Sequence, residues 1–345
     1  MKSRRLLLAA CALVALAACP GGKKLPGGGG LPGGGGVPGG VPGGGGESGM
    51  VDPNTCGNYA ASEAGRRLKA FLVATQDLEK MTTETAKVVK QSCIMIGNEI
   101  GMTEADYRGE TKDICAAVYG RVNENMKVAF KGKAALKVKY KPAVCKVNIE
   151  ASAKAAAECE GKASADVGAS CSGVCHGKCD GTCAGKAGTG GNAGECNGEC
   201  KGTCKGSCEG HADVNASAQC KAAASVKASA DVQCTEPELS IDLDAKLVVD
   251  KAKAEQTVKG LKAGLPMIFS VKARLDPLRH AVEVWAKSAA ELKDMGPKFV
   301  MSFKDQAQCI GGQIAAAAGM VGHIQANVSV SVEVSASASG TVGGG

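Results

Sequence analysis

The chain has 345 residues and a formal net charge of +7, with 18 cysteines and 49 glycines but only 4 histidines, 5 phenylalanines and 1 tryptophan. So few rings exclude a base-stacking nucleic-acid surface and leave little from which to build a histidine-based active site. Three of the positive residues, Lys2, Arg4 and Arg5, lie in a segment expected to be removed, so 7 − 3 = +4 remains, a balance that suits a solvated surface.

After those basic residues comes a short apolar run at 6–15 and then Leu16-Ala17-Ala18-Cys19. This arrangement resembles a bacterial lipoprotein precursor with its lipobox. The resemblance covers residues 1–19. It implies a signal peptide at 1–18, lipidation of Cys19 and anchoring to a membrane through that lipid. Pro20 stands where an inner-membrane retention signal would have Asp, which implies the outer membrane, at its periplasmic face or at the cell surface. An ordinary signal peptide is the alternative and would leave Cys19 free. Either way the protein is exported to a compartment where disulfides persist.

Residues 19–50 read as a flexible tether, with Leu-Pro-Gly or Val-Pro-Gly at 25–27, 31–33, 37–39 and 41–43 and a reach of about 30 Å. Residues 51–132 read as the first half of a helical bundle. Helices are predicted over 59–78, over 83–101 with Val88, Val89, Ile94, Met95, Ile96 and Ile100, and over 111–126 with Ile114, Val118, Val122 and Met126 at helical spacing.

Residues 133–244 carry the strongest pattern. Cys145 and Cys234, Cys159 and Cys220, Cys171 and Cys208, Cys175 and Cys204, Cys179 and Cys200, and Cys183 and Cys196 each have positions that sum to 379, as do Pro142 and Pro237. A constant sum is the mark of antiparallel pairing about one centre, here near Thr189 and Gly190. Around the centre the tetrapeptide Cys-x-Gly-x repeats. Small or apolar residues alternate with polar ones along both arms, Val147, Ile149, Ala151 and Val167 on one and Ala212, Val214, Ala222 and Val232 on the other. Period two predicts strands, although 153–157 and 222–230 would also make Ala-rich helices. Cysteines four apart on one strand lie about 13 Å apart, whereas facing residues lie within disulfide reach. The expected product is a ladder of six cross-strand disulfides.

Closer to the bundle the same sum joins Leu136 with Leu243, Val138 with Ile241 and Tyr140 with Leu239, with a symmetric kink expected at the two prolines. Two-stranded ribbons are marginal in water. An arm running about 140 Å if straight is therefore expected to coil on itself, pair with a second copy or meet a partner through its Ala/Gly face.

Residues 245–325 read as the second half of the bundle. One helix runs over 245–262 and stops at Gly264, a long one opens at Pro266 with a kink at Pro277, and a last one opens at Pro297. Residues 326–345 alternate Val with Ser before a Gly tail, which predicts a C-terminal strand at the base of the arm. With Cys11 lost with the signal and Cys19 lipidated, Cys56, Cys93, Cys115 and Cys309 remain, and they allow three connectivities.

The sequence therefore points to an α+β fold, a bundle of about six helices with an inserted very long antiparallel β-hairpin cross-linked by a disulfide ladder. No zinc-protease helix motif, phosphate loop or nucleophile elbow is present, so no catalytic residue, cofactor or metal is assigned. Cys171-Ser-Gly-Val-Cys175-His176 is one residue too long for c-type haem attachment. The expected role is structural or contact-forming in the cell envelope, with self-association or an envelope protein as partner and no nucleic acid. A membrane-inserting oligomer and a metal-binding thiol arm using Cys171, Cys175, Cys204 and Cys208 are the alternatives.

Overall fold

The computed structural model describes residues 51–131, 136–187 and 195–343. The signal segment, the tether, Cys19 and the expected turn at Thr189 and Gly190 lie outside the described residues. In chain order the elements are α1 (Glu63–Glu99), α2 (Thr111–Ala129), β1 (Leu136–Lys141), β2 (Cys145–Asn148), α3 (Ile149–Glu160), β3 (Ala169–Cys171), β4 (Val174–Ala187), β5 (Glu195–Glu209), β6 (Ala212–Val214), α4 (Ala218–Ala230), β7 (Gln233–Cys234), β8 (Glu238–Leu243), α5 (Lys251–Met301) and α6 (Ala307–Gly343).

Helices α1, α2, α5 and α6 form the bundle, with the β-rich insertion between its halves. Ser62 caps α1 by accepting the Gly65 N–H at 3.0 Å. The two helices expected over 59–101 are one, because Leu78, Thr82, Ala86, Val89 and Cys93 keep a buried stripe running through the assumed break. Trp285 of α5 is fully buried, lies parallel to Phe71 at 6.2 Å between ring centroids, and donates its indole N–H to Thr75 Oγ1 at 2.7 Å. A second core joins Ile96, Ile114, Val118 and Val122 to Leu261, Leu265 and Ile268.

Three expectations about the second half are corrected. Helix α5 runs 51 residues through Pro266, Pro277 and Pro297, although each proline removes an intrahelical donor. Packing on α1 outweighs that cost. Gly264 is a contact rather than a stop, since a Cβ there would sit 2.4 Å from the Ser92 carbonyl of α1. The tail is a helix and not a strand. Its buried residues Ile324, Val328, Ser331, Ser335 and Ala338 follow helical spacing, and Ser331 and Ser339 satisfy their hydroxyls on the carbonyls four residues back. The residues that alternate Val with Ser thus present one mixed face to the other helices.

The insertion is compact and is not a straight arm. Strands β1 and β8 pair as expected, Leu136 with Leu243, Val138 with Ile241 and Tyr140 with Leu239, and the pairing breaks between Lys141 and Cys145 and between Cys234 and Glu238, around Pro142 and Pro237. Cys145 and Cys234 then face each other. Beyond them the strand reading fails, because residues 149–160 and 218–230 are helices. Asn148 caps α3 by accepting the Ala151 N–H, and Gly161 closes it with φ +70°. Alanine propensity and two good caps override the period-two pattern.

Past these helices the ribbon resumes in a different register. Cys175 faces Cys208, Cys179 faces Cys204 and Cys183 faces Cys200, alternating with Gly177/Gly206, Gly181/Gly202 and Gly185/Gly198. Facing positions here sum to 383. The difference of four equals one Cys-x-Gly-x repeat, so a slip of one repeat puts cysteine opposite cysteine again and both registers satisfy the sequence pattern.

Residues 175–178 of β4 are paired on both edges, with 205–208 of β5 on one side and with 195–198 of the same strand on the other. One partner strand can occupy both edges only if the ribbon winds back beside itself. Gly198 lies between Cys175 and Gly185, so one turn takes 185 − 175 = 10 residues of β4. At about 3.3 Å per residue, that turn is roughly 33 Å around and about 10 Å across, close to the spacing of two packed sheets. Strand β2 continues the sheet, with Val147 facing Cys208 on the outer edge of β5.

Candidate functional site

The interior of this coil is built from sulfur. Cys171, Cys175, Cys179, Cys196, Cys200, Cys204 and Cys208 are buried, with Val147, Ile149, Val167, Ala169, Ala212 and Val214 around them. Disulfides join Cys171–Cys208, Cys175–Cys204, Cys179–Cys200 and Cys183–Cys196, at Cα separations of 5.6, 6.2, 5.7 and 5.7 Å. None of these pairs faces across the ladder. Each cysteine bonds to the one facing its neighbour four residues along, across a position that a flat ribbon would hold about 13 Å away. The ribbon must therefore fold sharply at every glycine rung, which brings successive cysteine rungs together across the lumen.

Glycine is required at those folds. Gly177 has φ +147° and Gly206 has φ +130°, conformations that side chains resist. A Cβ on Gly177 would lie 2.1 Å from the Lys205 carbonyl, and one on Gly206 2.4 Å from that of His176. The Cys-x-Gly-x repeat thus has a division of labour, with glycine folding the ribbon and cysteine bonding across the space enclosed.

The x positions face outward. Lys178, Asp180, Thr182, Glu195, Asn197, Glu199, Lys201 and Lys205 are exposed, with Lys205 and Asp180 paired at 2.9 Å. The cysteine row of the face expected to meet a partner is buried in the coil, so the surface offered outward is polar and of mixed charge.

The remaining cysteines cross-link the insertion within itself and the bundle within itself. Cys145–Cys234 closes the base of the insertion, and Cys159–Cys220 joins α3 to α4, helix to helix rather than strand to strand. Cys93–Cys115 joins α1 to α2, and Cys56–Cys309 links residues 253 apart, across the whole insertion. Cys171, Cys175, Cys204 and Cys208, considered above as thiol ligands, are all bonded as disulfides.

Two polar clusters hold the coil in place. Glu160, at the end of α3 with its side chain 3% exposed, accepts from Arg67 of α1 at 2.5 Å and from the Ser217 N–H, which opens α4, at 2.6 Å. Burial alone would raise the carboxyl, but the bonds from Ser217 and Arg67 hold it below its ordinary value. In the second cluster, His211 and Asp213 from the chain around β6 meet His280 of α5. Asp213 lies 3.3 Å from His280 Nε2 and 3.7 Å from His211 Nε2, and the two imidazoles stack at 3.7 Å. Burial, helped by His211, holds the His280 imidazole below its ordinary value against Asp213, Glu283 and Asp276. Sequence reasoning missed this cluster. His-x-Asp at 211–213 was visible, but His280 reaches it only through the docking of the insertion on α5.

Among the described residues, no helix is long and apolar enough to cross a membrane. No family model, curated protein or solved structure matches this chain.

Proposed function

We propose that the protein is a lipid-anchored component of the cell envelope in which the disulfide-cored coil is a rigid structural or contact element. The observation that carries this reading is the half-cystine interior. A core made of disulfides and glycine has little apolar side chain to bury, so it depends on an oxidising compartment and on cross-links that restrict the unfolded chain. Its outer surface of lysine, aspartate, glutamate and threonine is fixed in position, which suits recognition more than chemistry. The partner is another envelope protein or a second copy, met through that outer face. Lipid on Cys19 and the glycine-rich tether at 19–50 would hold the coil at a distance from the membrane.

Labelled-palmitate incorporation and membrane fractionation of the full chain test the anchor. Wild type is expected to carry label and to sediment with outer membranes, while Cys19→Ser loses the label and is recovered in the soluble exported fraction. Equal labelling and fractionation of the two would overturn the anchored reading.

A further inference from the structure

We propose that His211, Asp213 and His280 form a binding site for one divalent transition-metal ion of the Zn²⁺ class, and that the ion clamps the β coil to α5. The donor atoms of the three side chains lie within 4.8 Å of one another. A tetrahedral ion with bonds of about 2.05 Å separates its ligands by roughly 3.3 Å. Asp213 Oδ1 and His280 Nε2 already stand at 3.3 Å, and Asp213 Oδ2 and His211 Nε2 at 3.7 Å. Turning the partly exposed His211 ring out of its stack on His280 would aim its Nε2 at the same point and make it the third donor. Two imidazole nitrogens and a carboxylate oxygen are the donor set that zinc takes at sites retaining an open position for water.

An ion-pair network accounts for these residues less well. His280 Nε2 is shielded from water and has no hydrogen-bond partner of suitable geometry, despite the nearby carboxylate. Two stacked imidazoles at 3.7 Å would also repel if both were protonated. One cation bound between the three groups satisfies the buried nitrogen and the carboxylate together. The carboxylate is already oriented from behind, as Ser172 Oγ donates to Asp213 Oδ2 at 2.8 Å, the kind of outer contact that accompanies metal ligands.

The placement gives the site a role. His211 and Asp213 belong to the segment where the coil meets its supporting helices, whereas His280 comes from the second half of the bundle, 280 − 211 = 69 residues later. A bound ion would be a cross-link between insertion and bundle that the disulfides do not supply.

Untagged, fully oxidised protein would be stripped with chelator and titrated by calorimetry with Zn²⁺ alone, then with Co²⁺ for its visible absorption. One ion per chain is expected, with a raised melting temperature. His211→Ala and Asp213→Asn should each weaken binding at least about 100-fold, Ser172→Ala by about 10-fold, and the exposed His323→Ala not at all. Circular dichroism and an unchanged disulfide map establish that each variant is folded. His211 is only partly buried, so His211→Ala keeps the test open if Asp213→Asn fails to fold. Absence of binding at micromolar Zn²⁺, or binding unaltered by His211→Ala, would overturn the site.

Discussion

Single glycines decide whether the coil can exist, and two of them with different surroundings separate that effect from general glycine chemistry. Gly177→Ala places a Cβ 2.1 Å from the Lys205 carbonyl at φ +147°. The cost should be about 1–3 kcal/mol or more, read as a fall in melting temperature and as scrambled disulfides on refolding. Gly312 in α6 has nothing within 4 Å of an added Cβ. Gly312→Ala should raise stability by roughly 0.5–1 kcal/mol through helix propensity alone. Equal effects from the two would mean that the fold at Gly177 is not required.

Among elements, Glu160 links α3 to α1 and α4, and it makes stability depend on pH in a defined direction. Its folded pKa lies below the ordinary value of 4.5. The contribution is thus present above that value and is lost as pH falls through it toward the folded pKa. Glu160→Gln should flatten this acid limb in denaturant unfolding and cost about 1.5–3 kcal/mol at neutral pH. A parallel acid limb in the variant would remove Glu160 from the account. The elements also show where sequence pattern succeeds and fails. Cysteine positions identify bonding partners because the covalent constraint leaves its trace in spacing. Residues 149–160 read as strand because small or apolar residues alternate with Glu150, Ser152 and Lys154 as in a ribbon, whereas the alanine content and the caps at Asn148 and Gly161 point to helix. Residues 326–343 misled in the same way, for Ser331 and Ser335 take up buried positions that period two assigns to the opposite face, and Ser331 bonds to its own helix. The prolines of α5 looked like boundaries because the packing that carries the helix through them comes from α1, far away in sequence.

Across the whole molecule, the disulfides divide between two tasks. Cys56–Cys309 closes a loop of 253 residues and holds the bundle together around its insertion, while the coil bonds close loops of only 13 to 37 residues and fill an interior that has little else. Reduction should therefore unwind the coil, since thiols and glycines bury too little apolar surface to hold a two-stranded ribbon. The repeat conceals one aspect of this architecture, namely that bonded cysteines are not facing cysteines. Trypsin separates bonding across the fold from bonding between the cysteines that face each other in this register, because it releases residues 202–205 as a peptide whose single cysteine is Cys204. Disulfide mapping by mass spectrometry of protein taken from cells should find this peptide bonded to residues 163–178 through Cys175. Finding it bonded to residues 179–186, or carrying a free thiol, would contradict the disulfide-cored coil.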